Sequence, residues 1–291
     1  MKRKKSIPLN EYASMLINAS LAEDIGSGDL TTDSIVPLTV KGKATILAKE
    51  RFVIAGLLFT EKVFRTLDEN IKFKRHVNDG DTVNRGDAIA SVSGRLANIL
   101  KAERVALNFL QRLSGVATLT GRFIKEIKGT GVKILDTRKT TPCMRILERY
   151  AVRVGGGENH RFGLFDAILI KDNHIKIAGG VEKAIKRVKE KYPKGMSVEV
   201  EVKDLNEVKE ALKCRADVIM LDNMDTAMIK KAVSLIGKRA LVEVSGGVTL
   251  KNVRRIASCG ADFISIGALT HSARAVDASL EIEKWNQRPR R

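Results

Sequence analysis

Two stretches of the 291-residue chain concentrate groups able to grip an anion. Asp136-Thr137-Arg138-Lys139-Thr140-Thr141-Pro142 sets Arg138 and Lys139 side by side. Arginine's planar fork matches a carboxylate bidentately and lysine adds a mobile point charge, so the pair suits an anion with two carboxylates; a solvated basic loop would read the same way. Residues 155–175 add His160, Arg161, Lys171 and His174, with three consecutive glycines that let a backbone come close to a ligand. His174 on its own reads as hydrogen-bonded scaffold beside a strand end. In Val198-Glu199-Val200-Glu201-Val202-Lys203, period-two geometry puts Glu199, Glu201 and Lys203 on one face. Acidic side chains facing a protein interior need cations close by, and Lys171 is the candidate partner. Asp222-Asn223, Ser245-Gly246-Gly247 and Ser265-Ile266-Gly267 complete the set.

These residues need elements to hold them. Short β-rich runs at 132–135, 167–170, 197–202, 218–221, 240–244 and 263–266 alternate with amphipathic helical stretches, the pattern of βαβ units and a parallel sheet. Each reactive group follows the end of one of these runs. That is the layout of a β/α barrel, in which chemistry sits at the C-terminal rim and a phosphate is held by glycine-bearing loops after the last two strands. An open doubly wound sheet would place its glycines in the first strand-to-helix turn instead. Before residue 112 the pattern is α+β: a helix over 11–23, a turn at Gly26-Ser27-Gly28-Asp29, a strand near 43–50, a helix near 57–68 and hairpin-type turns at Asn78–Asp81 and Arg85–Asp87. A long amphipathic stretch from Leu96 to Lys128 reads as bent near Gly115.

Composition narrows the classes. No apolar run approaches the ~20 residues that span a bilayer, so the chain is expected not to enter membranes. The basic start Met1-Lys2-Arg3-Lys4-Lys5 is followed by Pro8, Asn10 and Glu11 where a secretory signal would need an apolar run, and a cytoplasmic location is expected. Cys143, Cys214 and Cys259 are too few and too scattered for a disulfide framework or a zinc knuckle and are expected as buried free thiols. The net charge of +18 invites a nucleic-acid reading, but the basic residues are spread over every segment and only 4% of residues are aromatic. A site for small polyanions accounts for part of the charge without nucleic acid.

The motifs AERVALNFLQRLSGVAT at 102–118, DTRKTTP at 136–142, GGGENHR at 155–161, LIKDNHI at 169–175, VEVEV at 198–202, LDN at 221–223, VSGG at 244–247 and SIGALTHS at 265–272 together resemble the quinolinate phosphoribosyltransferase family, as does EDIGSGDLTTD at 23–33. The resemblance implies an incomplete TIM-type β/α barrel over 113–272 with an N-terminal α+β domain over 1–112, joined by a C-terminal helix at about 273–291. It implies phosphoribosyl transfer from phosphoribosyl pyrophosphate to quinolinate with decarboxylation, in a homodimer or a higher oligomer. Arg138, His160, Arg161 and Lys171 would bind the quinolinate carboxylates with Thr137 beside them, and Arg104 would reach in across the dimer interface. Lys139 would lie between the substrates as a catalytic group. Glu201 and Asp222 would be catalytic too, holding Mg2+ through pyrophosphate, ribose and water. Ser245, Gly246, Gly247, Ser265, Gly267 and His271 would form the 5-phosphate site.

That scheme is chemically coherent. Phosphoribosyl transfer passes through a cation-like ribose, so a neutralised leaving group matters more than a strong base, and magnesium favours an oxygen-donor site of one or two carboxylates plus phosphates. One departure is Cys143, which stands where the family pattern leads us to expect glycine. Two other readings are open at this level. A related transferase acting on another pyridine-type acid would keep the fold, though the set Arg104, Arg138, His160, Arg161 and Lys171 argues for a dicarboxylate. A non-catalytic nucleic-acid-binding barrel would be hard to reconcile with Glu201 and Asp222 on the rim.

Overall fold

The computed structural model of the chain describes residues 8–192 and 196–283. The basic start Met1–Lys5 and residues 284–291 of the expected C-terminal helix lie outside them.

In chain order the elements begin with α1 (Leu9–Ile25), α2 (Leu30–Ile35), β1 (Lys41–Ala48), β2 (Phe52–Val53), α3 (Leu57–Leu67), β3 (Lys72–Arg75), β4 (Thr82–Val83), β5 (Ala88–Arg95) and α4 (Leu96–Glu126). Then come β6 (Lys133–Leu135), α5 (Arg145–Val154), β7 (Ile168–Ile170), α6 (Asp172–Ala178), α7 (Val181–Lys191), β8 (Val198–Val202) and α8 (Leu205–Lys213). The remainder are β9 (Val218–Asp222), α9 (Thr226–Ile236), β10 (Leu241–Ser245), α10 (Val253–Ala257), β11 (Phe263–Ser265), α11 (Ala268–His271) and β12 (Ala278–Ile282). Two compact units result. One comprises Met1–Leu119, Thr141–Gly155 and Ala273–Arg291; the other comprises Thr120–Thr140 and Gly156–Ser272. The sequence pattern changes near 112, whereas the division by contacts falls inside α4 after Leu119 and returns Thr141–Gly155 to the first unit.

The first unit is built on an antiparallel sheet of order β12-β1-β5-β3. Alternation in β1 buries Ala44, Ile46 and Ala48, and α3 buries Phe59, Val63 and Phe64. The described part of the expected C-terminal helix is not helical. Ala278–Ile282 forms β12 instead, pairing antiparallel with β1 from Ala44↔Ile282 to Ala48↔Ala278. The physical reason lies in its period: Val276, Ala278 and Leu280 are buried and alternate with polar residues, so a strand buries what a helix would scatter around its circumference. The surface ion pair Lys43–Glu283 continues this register, and Lys49 reaches diagonally to Glu281.

Helix α4 is continuous, so the expected bend at Gly115 is absent. Glycine is there for proximity: a Cβ at 115 would lie 2.0 Å from the Arg274 carbonyl oxygen. The loop ahead of α5 is held by Glu148, which is fully buried and accepts hydrogen bonds from Arg112 Nη2 (2.6 Å), Thr141 Oγ1 (2.8 Å) and Thr141 N (3.1 Å). Of the three free cysteines only Cys259 is buried, and Cys143 is exposed, contrary to the expectation of buried thiols.

The second unit is an incomplete β/α barrel. Its six strands pair in parallel in the order β6-β11-β10-β9-β8-β7, leaving β6 and β7 at the ends. All six coincide with the runs read from the sequence. Beyond β6, residues 156–159 run alongside, with Glu158 N donating to the Ile134 carbonyl and Asp136 N to the Glu158 carbonyl. The Glu158 backbone thus extends the sheet, and its carboxylate pairs with Lys133 at 2.9 Å. Asp204 and Asp225 cap α8 and α9 by accepting backbone N–H groups, which fixes where each helix starts after its strand. Among the described residues no helix is long and apolar enough to cross a membrane.

Candidate active site

Residues at the strand ends of the second unit line one cavity of about 610 Å³. Its wall includes Thr137, Arg138 and Lys139 after β6; His160 and Arg161; Lys171 after β7; Glu201 on β8; Asp222 on β9; Ser245, Gly246 and Gly247 after β10; and Ser265, Gly267 and His271 after β11. Every expected site residue other than Arg104 is therefore gathered in one place. Arg104 is exposed on α4 in the first unit. The register explains the convergence: Ser245 lies opposite Asp222, and Glu201 and Glu243 both lie opposite Met220, so inward side chains of neighbouring strands form tiers.

Cations dominate one side. Arg138 and Lys139 are exposed, and Arg161 donates from Nη1 to the Ala167 carbonyl at 3.2 Å. Burial, and after it the charge of Arg138, lowers the pKa of Arg161, while the charges of Glu199 and Asp166 raise it. An anion bound beside both guanidinium groups would offset the repulsion between them. Lys171 forms an ion pair with Glu201, whose side chain is 10% exposed. That is the partnership the strand pattern suggested. His174 has the scaffolding part expected of it, its Nδ1 accepting from Lys171 N at 2.9 Å.

Two backbone features shape the opposite side. Asn223 adopts a left-handed conformation (φ 54°), donates from Nδ2 to Asp222 Oδ2 at 2.9 Å and from its backbone N to the Ser245 carbonyl at 2.9 Å. Gly246 (φ +91°) leaves room for it, since a Cβ there would lie 2.2 Å from Asn223 Oδ1. Nearby, the buried Thr270 hydroxyl donates to the Lys139 carbonyl at 2.7 Å, and a Cβ on Gly267 would press on Lys139 and His271. The Glu201 and Asp222 carboxylates beside a glycine-rich, hydroxyl-bearing loop form an all-oxygen donor set, which fits magnesium shared with substrate phosphates.

Beneath His160 lies a group that the sequence reading left aside. His160 Nε2 is 3.1 Å from Glu199 Oε2 and 3.5 Å from Glu243 Oε2, and both glutamates are buried. Burial by itself would lower the imidazole pKa, but hydrogen bonds to Glu199 and Glu243, with their charges, outweigh it and push it up to about 10. Burial, opposed by the hydrogen bond to His160, raises Glu199. Both shifts mean that the cluster keeps one proton more at neutral pH than three separate groups would. Nδ1 accepts the Arg161 N–H at 2.8 Å, so its lone pair is in use and the imidazole proton sits on Nε2. The extra proton is shared with Glu199, the carboxyl that burial raises. The three donor atoms lie within 4.8 Å of one another, close enough for a metal ion. A metal on Nε2 would require the proton on Nδ1, where the Arg161 N–H already points, so the trio is arranged for protons.

The model of the quinolinate phosphoribosyl transferase N-terminal domain matches residues 29–114, and that of the C-terminal domain matches residues 116–281. The chain belongs to the quinolinate phosphoribosyltransferase family. It is 44% identical over 289 residues to quinolinate phosphoribosyltransferase (decarboxylating) 2b, mitochondrial, of Nicotiana tabacum, covering 92% of this chain and 81% of that one. It is also 44% identical over 287 residues to the chloroplastic nicotinate-nucleotide pyrophosphorylase (carboxylating) of Arabidopsis thaliana, covering 92% and 82%. The solved nicotinate-nucleotide pyrophosphorylase from Francisella tularensis is similar with a TM-score of 0.91 and 41% identity, over 96% of this chain and 98% of that one. The backbone at Cys143 has a local explanation. Thr141-Pro142-Cys143-Met144 closes with Met144 N donating to the Thr141 carbonyl, with proline second and a residue of φ 61° third. That is a type II turn, whose third position favours glycine.

Proposed function

We propose that the cavity of the second unit joins quinolinate to phosphoribosyl pyrophosphate and decarboxylates the product, giving nicotinate mononucleotide, carbon dioxide and pyrophosphate. The observation that carries this reading is that one cavity is lined both by four cations, Arg138, Lys139, Arg161 and Lys171, and by the Glu201 and Asp222 carboxylates with the glycine-bearing 245–247 loop. A dicarboxylate suits the first set and a phosphorylated sugar the second.

The cations hold two adjacent carboxylates against their mutual repulsion and aim the pyridine nitrogen at the ribose C1. Bond formation from nitrogen to C1 expels pyrophosphate. The ring nitrogen then bears positive charge and stabilises the electron pair left on the adjacent C2 when the 2-carboxylate leaves as carbon dioxide; a proton bonds to that pair at C2, and the nitrogen keeps its charge. Lys139, its backbone held by Thr270 and its side chain against Gly267, steadies negative charge on the departing group. Glu201 and Asp222 would hold Mg2+ through pyrophosphate, ribose and water, and the ion would neutralise the leaving group's charge. Ser245, Gly246, Gly247, Ser265, Gly267 and His271 receive the 5-phosphate. In the working enzyme, a homodimer or higher oligomer in the cytoplasm, Arg104 of the partner subunit completes the quinolinate site; the two plant relatives are named for organelles.

The test is release of carbon dioxide and pyrophosphate from quinolinate plus phosphoribosyl pyrophosphate, with magnesium present or chelated. Equimolar, magnesium-dependent release is expected, and Lys139→Ala or Glu201→Ala should remove most turnover while the protein stays folded. Release with nicotinate but not quinolinate would move the assignment to a sister substrate.

A further inference from the structure

Arg161 stands at a junction. Ahead of it, the His160 backbone N donates to the fully buried Asp136 at 2.8 Å; after it, residues 162–166 form a loop whose Leu164 and Phe165 are exposed. Arg161 Nη1 is held by the Ala167 carbonyl and the loop by Asp166, which accepts from Phe162 N and Gly163 N, while the Arg161 backbone is pinned by the hydrogen bond from its N to His160 Nδ1. That bond needs a lone pair on Nδ1, hence a proton on Nε2, hence an acceptor for Nε2–H. Glu199 and Glu243 supply acceptors from two different strands.

We propose that Glu199 and Glu243 are positioning residues for substrate binding: by taking the Nε2 proton of His160 they fix its tautomer, and through Nδ1 they seat Arg161 for the 3-carboxylate of the pyridine substrate. The placement of these acids supports a role beyond stability. Each retains a buried oxygen, Oε1, with no hydrogen-bond partner. Apolar side chains of similar volume would serve a barrel interior at least as well. The arrangement also changes what His160 does. With Nε2–H given inward and Nδ1 accepting from the backbone, the ring has no donor left for a substrate carboxylate, so it acts through Arg161.

This inference rests on the reading of quinolinate as substrate, and two measurements separate its failure from the failure of that reading. The first is kinetic. Glu199→Ala and Glu243→Ala should each raise KM for quinolinate about 10-fold or more while leaving KM for phosphoribosyl pyrophosphate within about threefold. The Gln variants, which still offer a carbonyl oxygen to Nε2–H, should recover most of the loss. KM values unchanged, both rising in step, or a loss confined to kcat would overturn it. The second needs no turnover and survives a variant that fails to fold. In 15N-histidine spectra of the wild-type protein, which has four histidines, His160 should show a protonated Nε2 and an unprotonated Nδ1 at neutral pH. A doubly protonated ring, or a proton on Nδ1, overturns the positioning chain even if quinolinate is turned over. The expected signature in a protein inactive on quinolinate would overturn the reaction instead.

Discussion

Lys171 after β7 and Glu201 on β8 are paired with each other across neighbouring strands in one cavity. On the proposed function quinolinate would draw Lys171 and the magnesium-bound phosphates would draw Glu201, so either ligand would loosen the pair and lower the cost of binding the other. Coupling of this kind is reciprocal. Calorimetry should show phosphoribosyl pyrophosphate with magnesium binding roughly 5-fold tighter or more when quinolinate's site is filled by an unreactive aromatic 1,2-dicarboxylate. In Lys171→Met the coupling should vanish. An unchanged coupling in that variant would mean that the pair is only structural.

Gly246 and Gly247 make a built-in control for the loop after β10. Both have positive φ, but a Cβ at 246 runs into Asn223 whereas nothing lies within 4 Å of one at 247. Gly247→Ala should cost only the left-handed penalty of about 1–2 kcal/mol. Gly246→Ala should cost more and raise KM for phosphoribosyl pyrophosphate, because displacing Asn223 releases the Asp222 carboxylate it holds. Equal losses in denaturant titrations of the two variants would contradict the interlock.

How much of this was readable in advance depends on the scale of the signal. The six barrel strands were legible because each is a short β-rich run ending in reactive residues, and the Lys171–Glu201 pair followed from alternation in VEVEV. The same alternation in Leu241-Val242-Glu243-Val244-Ser245 places Glu243 inward with Ser245, yet without a structure nothing says that it meets Glu199 around one histidine. β12 was hidden for another reason. Its apolar period of two is plain, but its partner β1 lies more than two hundred residues earlier, and strand pairing over that separation leaves no local mark. Gly115 misled because a glycine required by a carbonyl 2.0 Å from its missing Cβ looks, in sequence, like a helix breaker.

Cys143 is a position where the chain should be improvable. Its φ of 61° is left-handed, in the third position of the Thr141–Met144 turn. Cys143→Gly should stabilise the protein by up to about 1 kcal/mol, since relief of the strained conformation exceeds glycine's extra chain entropy. Activity should be unaffected. A lower melting temperature would show that the exposed thiol contributes more to its surroundings than the turn costs.

The proton held around His160 predicts a pH dependence of stability with a definite sign. In the unfolded chain the imidazole releases its proton near the ordinary 6.5, while in the fold the cluster holds it to about 10. Between those values the native state binds more protons than the unfolded one, so the stabilisation is fully present below about pH 6.5 and declines as pH rises to about 10. The raised carboxyl of Glu199 acts in the same direction. Urea titrations at pH 6, 8 and 10 should show a progressive loss on the order of a few kcal/mol. Glu243→Gln removes one of the two charges that raise the imidazole and should flatten the profile. A wild-type profile that is flat, or that rises with pH, would mean that the fold does not hold a proton at His160 and Glu199.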